Sequence, residues 1–146
     1  MRFWDASVLV PLVLEERSSS TTRQAFEQDP GLIVWWGSSV ECASAIARAE
    51  RDARIDAARS ADAFAGLRLL QSGWIEIDAT SRLRESAERM VRVHPLRAAD
   101  ALQLAAALVA SDGQPAALPF LTLDNRLANA ADREGFPVVR FGMESA

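Results

Sequence analysis

Short apolar runs recur along this 146-residue chain, and a stretch with helical periodicity separates each run from the next. The runs are too short for helices, which predicts strands buried on both faces, as in a parallel sheet. They are Phe3-Trp4, Leu32 to Trp36, Trp74 to Ile77, Pro119 to Leu123 and Val138 to Phe141. The predicted helices are Ser7 to Leu14, Ser19 to Gln28, Ser39 to Arg51, Asp56 to Gln71, Thr80 to Val93, Ala98 to Ser111 and Asn125 to Glu134.

This alternation of strand and helix predicts an α/β fold with a parallel, or mostly parallel, central sheet of four to five strands and helices on both faces. The sequence has no internal repeat and no interdomain linker, so we expect a single domain over residues 1–146. Ser38 and Glu41 fit a capping box at a helix start. Trp35 and Trp36 could form a base-stacking platform, but their place in an apolar strand favours a role in the core.

Three absences narrow the chemistry. Cys42 is the one cysteine and His94 the one histidine, which excludes a disulfide, a thiolate zinc cluster and a multi-histidine metal site. Every basic residue is arginine, so lysine-dependent phosphate transfer and Schiff-base chemistry are excluded. We expect His94 to be a loop residue and Cys42 a small apolar residue of its helix.

No apolar stretch reaches the ~20 residues that a membrane-spanning helix requires. Asp5 precedes the first long apolar run and Glu15-Glu16-Arg17 follows it, a pattern that does not favour a signal peptide. We therefore expect a cytoplasmic protein without a membrane span.

Four acidic residues are predicted to meet at one edge of the sheet. Asp5 ends the first strand, Asp124 ends the fourth, and Glu41 lies in the first turn after the second. The carboxyl ends of parallel strands and the starts of the helices that follow share one rim. Asp100 starts a helix that leads to the opposite end of the strand Pro119 to Leu123, so this helix must also begin at that rim.

Four clustered acids repel one another unless a cation compensates them. Carboxylate oxygens without His or Cys select hard ions such as Mg²⁺ or Mn²⁺, which also bind phosphate and can activate water. The cluster therefore favours phosphodiester hydrolysis. Individually, Glu41 could serve only the capping box and Asp124 could cap its helix. Asp5 has little structural reason to follow a buried strand, and the coincidence of four acids favours a functional site.

The net charge of −4 does not favour a nucleic-acid partner. Setting the four clustered acids aside leaves 16 of the 20 acidic residues to balance 16 arginines. A neutral body with a metal-filled pocket can bind RNA, with modest affinity and strong salt dependence.

Four segments, in this order, carry a family pattern: FWDAS (residues 3–7), Val40-Glu41, LRAADALQLAAA (96–107) and FLTLDNRL (120–127). They resemble PIN-domain ribonucleases, most closely VapC toxins of type II toxin–antitoxin systems. The resemblance implies that Asp5, Glu41, Asp100 and Asp124 bind Mg²⁺ or Mn²⁺, with Ser7 and Thr122 as supporting hydroxyls. It also implies RNA cleavage, a homodimer and inhibition by a cognate antitoxin. Some relatives have a further acid where this chain has Arg126. The resemblance therefore implies a first bound metal but does not extend to a second one.

Two other functions are alternatives to a ribonuclease. A phosphohydrolase of the haloacid-dehalogenase type would need a second aspartate at Ser7 and a lysine, and the chain has neither. A non-catalytic PIN-like module that binds RNA or protein is the main alternative. The stretch from Cys42 to Leu70 is rich in apolar residues and arginine, which suggests a surface for an antitoxin, with Arg48, Arg51, Arg54 and Arg59 around it. The alternative is that its apolar residues pack in the core or at a dimer interface.

Overall fold

Five short strands form one sheet in a computed structural model, which describes residues 1–141. The strands are β1 (Arg2–Trp4), β2 (Leu32–Trp35), β3 (Ile75–Ile77), β4 (Phe120–Thr122) and β5 (Val138–Arg140). The helices are α1 (Ala6–Val13), α2 (Ser19–Gln28), α3 (Ser38–Arg51), α4 (Ala57–Gly73), α5 (Ser81–Val93), α6 (Ala98–Ala110) and α7 (Asn125–Arg133). Each predicted element is present, with ends within two residues of those expected.

All strand pairs are parallel, and the order across the sheet is β3-β2-β1-β4-β5. Consecutive side chains of β1 point to opposite faces, so Phe3 packs with α5, α6 and α7 while Trp4 packs with α1, α3 and α4. Both residues are fully buried. The predicted fold class, an α/β fold with helices on both faces of a parallel sheet, is therefore confirmed.

The connectivity determines where a site can form. From β1 the chain adds β2 and then β3 on one side, and it later returns to add β4 and β5 on the other side. The strand order therefore reverses between β1 and β4. In open parallel sheets, the helices on the two sides of such a switch point diverge and leave a crevice at the carboxyl ends of the strands.

The capping box predicted at Ser38 and Glu41 is wrong. Helix α3 begins at Ser38 with Gly37 as its N-cap, and no side chain caps it. The carbonyl oxygen of Gly37 accepts hydrogen bonds from the backbone N–H groups of Val40 and Glu41. The side chains of Ser38 and Glu41 instead accept hydrogen bonds from the neighbouring helix α6, so a tertiary contact replaces the expected local one.

His94 follows α5 directly and is buried. Its Nε2 atom lies 2.6 Å from Glu134 Oε2, and Arg89 donates a 2.7 Å hydrogen bond to Glu134 Oε1. Burial opposes ionisation of Glu134, but these partners lower its pKa overall. The loop histidine thus links the end of α5 to the end of α7. None of the helices in residues 1–141 combines the length and apolarity that a membrane crossing requires.

Candidate active site

Asp5 lies in the gap between β1 and α1, with 3% of its surface exposed. It is the N-cap of α1, since its carboxylate accepts a 3.0 Å hydrogen bond from the backbone N–H of Ser7. The Ser7 hydroxyl donates to the same oxygen, and the Thr122 hydroxyl donates to the other oxygen at 2.8 Å. Burial raises the pKa of Asp5 to about 7, although these hydrogen bonds oppose the shift. Asp5 therefore does have a structural reason for its position, which the sequence did not indicate.

Ser7 and Thr122 join the two strands at the switch point. The Ser7 hydroxyl accepts a 2.9 Å hydrogen bond from the backbone N–H of Leu123, while the Thr122 hydroxyl accepts one of 3.0 Å from that of Asp124. Each hydroxyl therefore donates a hydrogen bond to Asp5 and accepts one from the backbone at the end of β4. The two residues predicted as supporting hydroxyls both contact Asp5.

Asp124 is the N-cap of α7, which confirms the helix-capping role that the sequence analysis gave as an alternative. Its Oδ1 atom accepts hydrogen bonds from the backbone N–H groups of Arg126 and Leu127, at 2.8 and 3.1 Å. Both donors bind the same oxygen, so Oδ2 is not used in capping. Capping and ligand binding are therefore compatible at this residue.

Glu41 contacts a residue that was not among the predicted site residues. Gln103 lies on α6 one turn after Asp100, and its Nε2 atom donates to Glu41 Oε2 at 2.6 Å and to Ser38 Oγ at 3.0 Å. The signal for Gln103 was available in the sequence, because it is the lone polar side chain in the apolar run from Ala101 to Ala110. It ties the first turn of α3 to the second turn of α6.

The four acids form a chain of repelling neighbours. Burial raises the pKa of Glu41, with a contribution from the charge of Asp100, and Glu41 in turn contributes to the raised pKa of Asp5. Burial also raises the pKa of Asp100, with a contribution from Asp124, while Arg97 and Arg126 oppose the shift. The sequence-based expectation that these four carboxylates share one rim agrees with this electrostatic coupling.

The four acids line one open cleft of about 670 Å³ at the carboxyl ends of β1 and β2. Within residues 1–141, no three Asp, Glu, His or Cys side chains converge closely enough to form a ready-made metal-binding group. Glu41 faces Gln103, and Asp124 faces the backbone of α7, so each of the two uses one oxygen for a protein partner. A second hollow adjoins the cleft at Asp100 and Asp124, where Arg97 and Arg126 also line it.

One wall of the cleft carries residues to which the sequence analysis gave no role in the site. Trp36 was expected in the core, and that expectation is wrong: β2 ends at Trp35, and the side chain of Trp36 is 54% exposed in the cleft wall. Arg48, one helical turn beyond Ser44 on α3, lines the same cleft. Cys42 lies behind this wall, and burial raises the pKa of its thiol to about 12, so it stays protonated and unreactive.

The sequence matches no protein-family model and no curated protein. Solved structures nevertheless share the fold. A chain of a toxin–antitoxin complex from Klebsiella pneumoniae superposes with a TM-score of 0.64 at 19% identity, covering 95% of this chain and 96% of that one. PAE2754 from Pyrobaculum aerophilum gives 0.64 at 19% identity, with 95% and 87% covered. FitAcB from Neisseria gonorrhoeae gives 0.65 at 14% identity, with 94% and 96% covered. At these identities the likeness is one of fold.

Proposed function

We propose that this chain is a metal-dependent endoribonuclease of the PIN-domain type and the VapC-like toxin of a toxin–antitoxin pair. The observation that carries the proposal is the chain of coupled carboxylates, Asp5, Glu41, Asp100 and Asp124, along one cleft at the switch point of the sheet. Acids whose pKa is raised by burial and by neighbouring carboxylates, as for Asp5, Glu41 and Asp100, are typical of a functional site. The family resemblance of the segments around them points to RNA as the substrate.

The donor chemistry of the cleft fits a hard divalent cation. The four carboxylates supply oxygen ligands alone, which suits Mg²⁺ or Mn²⁺ and not a metal that prefers His or Cys. A carboxylate with a pKa of about 7, such as Asp5, is costly to ionise in this environment, and a bound cation removes that cost. Bound to these acids, Mg²⁺ or Mn²⁺ would activate a water molecule and stabilise charge on the phosphate.

The protein's own contribution is positioning. Ser7 and Thr122 hold both oxygens of Asp5, and Gln103 holds Glu41, so these carboxylates cannot rotate freely. Arg97 and Arg126 line the adjoining hollow and can bind the phosphate groups of an RNA strand beside the acids.

The first test is the loss of charge without a change of shape. Asp5→Asn and Asp100→Asn should each lower cleavage of a fluorogenic single-stranded RNA by about 100-fold or more, since the amide offers the cation no anionic oxygen. Circular dichroism should show an unchanged fold. Asp132→Asn on the exposed side of α7 is the matched control and should cleave at the wild-type rate.

Full activity of Asp100→Asn would contradict the proposal. The alternative, a non-catalytic module, draws on the engagement of Glu41 and Asp124 with protein partners. Calorimetric titration with Mn²⁺ separates the two. A wild-type chain that neither binds Mn²⁺ at high-micromolar affinity nor cleaves RNA would favour the module.

We further propose that a cognate antitoxin inhibits the toxin, and that the toxin forms a homodimer. One structure with this fold belongs to a toxin–antitoxin complex, which supports a partner of that kind. The exposed residues Arg51, Arg54 and Arg59 lie at the end of α3, in the turn after it and at the start of α4, where acidic groups of a partner could bind them. Arg48 faces the acid cleft instead, so it belongs with the substrate.

Charge reversal tests this surface. If it receives the antitoxin, Arg51→Glu with Arg54→Glu should release RNA cleavage in the presence of a co-expressed cognate antitoxin. Cleavage by the toxin alone should not change. If the surface instead joins two copies of this chain, the same variant should halve the mass measured by sedimentation. Unchanged inhibition and unchanged mass would remove this surface from consideration.

A further inference from the structure

The exposed indole of Trp36 is the most unusual feature of the cleft wall. Tryptophan is highly buried on average. The other three tryptophans of the chain follow that rule, with at most 9% of their surface exposed, while Trp36 has 54% exposed. Val40, one turn further along at the start of α3, is 65% exposed and lines the same cleft, so Trp36 and Val40 form an apolar part of its wall.

Trp36 is held in place by its neighbours. Its backbone N–H donates a 3.1 Å hydrogen bond to the carbonyl oxygen of Ile77, at the end of β3. Its ring meets the buried ring of Trp35 edge to face, with centroids 6.2 Å apart and planes at 69°. Gly37 makes this arrangement possible, because a Cβ atom there would lie 2.5 Å from the Trp35 indole nitrogen. An aromatic face fixed in this way loses little conformational freedom when a ligand stacks on it.

The charges around the indole indicate the kind of ligand. Arg48 lines the same cleft as Trp36, and Arg97 and Arg126 line the hollow next to Asp100 and Asp124. An aromatic surface with arginines nearby suits a nucleotide, because the base can stack on the ring while the phosphate binds a guanidinium group. A purely apolar protein segment would leave the neighbouring acids and arginines without partners.

We propose that Trp36 is a base-stacking residue that seats one unpaired nucleotide of the RNA in the acid cleft. The inference rests on the proposed ribonuclease function and adds to it a residue of this chain that binds the substrate. A base inside a duplex is already stacked and paired, so it cannot present a free face to the indole. Trp36 acts through binding and takes no part in the chemical step.

Steady-state cleavage of a fluorogenic single-stranded RNA is the first measurement. Trp36→Ala should raise KM about 10- to 100-fold with kcat within about threefold, because base stacking contributes to binding alone. Trp36→Phe keeps an aromatic face and should stay close to the wild type. Leu69→Ala, which removes another exposed apolar side chain on α4, is the control and should leave KM unchanged. Wild-type KM in Trp36→Ala would overturn the proposal and leave the indole to a protein partner.

The second measurement does not depend on cleavage. In EDTA, the Asp100→Asn chain is titrated with a single-stranded RNA oligonucleotide and with the matching duplex, and tryptophan fluorescence is followed. The single strand should quench the fluorescence, the duplex should not, and Trp36→Phe in the same background should abolish the change. If the wild type cleaves nothing but this quenching is present, the nuclease proposal fails and the stacking site stands. If the wild type cleaves RNA and quenching is equal with and without Trp36, the stacking site alone fails.

Discussion

At the scale of single residues, Gln103 presents the clearest conflict between stability and function. Its amide nitrogen must face Glu41, because a carboxylate accepts hydrogen bonds and cannot donate them. The amide oxygen is then buried without a hydrogen-bond partner among residues 1–141. An unsatisfied buried acceptor costs about 1–3 kcal/mol. A methionine of similar shape would remove this cost, so the position of Glu41 is what the glutamine supplies.

Gln103→Met should therefore separate two properties that a purely structural residue would change together. The melting temperature should stay within about 4 °C of the wild type, because relief of the buried oxygen, about 1–3 kcal/mol, offsets most of the roughly 2–4 kcal/mol from the two lost hydrogen bonds. Mn²⁺ affinity measured by calorimetry should fall about 10- to 100-fold, as for loss of a partner that orients a metal ligand. Gln24→Met on the exposed face of α2 is the control. Unchanged Mn²⁺ affinity would show that Gln103 does not position Glu41.

At the scale of secondary-structure elements, local sequence patterns were sufficient to predict every strand and α-helix of residues 1–141, but not the short 3-10 helix Pro115–Ala117. Parallel strands buried on both faces are continuous apolar runs, and several of the helices between them show amphipathic spacing, so both signals are local. The convergence of the four acids also followed from local signals, because a parallel sheet assigns all strand ends to one edge.

The sequence failed where a tertiary contact competes with a local one. Ser38 and Glu41 have the spacing of a capping box, but Gln103 binds both side chains from α6, 62 and 65 positions away. Trp36 ends an apolar run, and no pattern within that run shows that β2 stops one residue earlier. Asp5 was assigned to function alone, although it also caps α1. For Ser38 and Glu41 the deciding partner lies on another helix, whereas the cap at Asp5 is a local contact with Ser7 that the sequence analysis missed.

At the scale of the whole molecule, the packing of several helices and strands keeps four mutually repelling acids together in one cleft. Asp5 comes from the β1–α1 junction, Glu41 from α3, Asp100 from α6 and Asp124 from the β4–α7 junction. These acids belong to elements on both faces of the sheet, so their repulsion acts on the packing of the entire domain. Cation binding that offsets this repulsion would therefore stabilise the fold globally, and its effect should appear in the thermal unfolding of the whole chain.

Consequently, the protein with the higher melting temperature should be Asp100→Asn without a cation and the wild type with one. In EDTA, Asp100→Asn should melt about 2–4 °C higher, the shift that about 1 kcal/mol of relieved repulsion produces in a chain of this size. With Mn²⁺ at 100 times its dissociation constant, the wild type gains about 2.7 kcal/mol and should melt roughly 5–10 °C higher than in EDTA. Asp100→Asn should gain little, so that the wild type becomes the more stable of the two. Asp132→Asn should follow the wild type in both buffers, since it removes one acid outside the cleft. A variant that melts below the wild type in EDTA would show that Asp100 does not repel its neighbours. A variant that gains as much from Mn²⁺ as the wild type would show that Asp100 does not bind the cation.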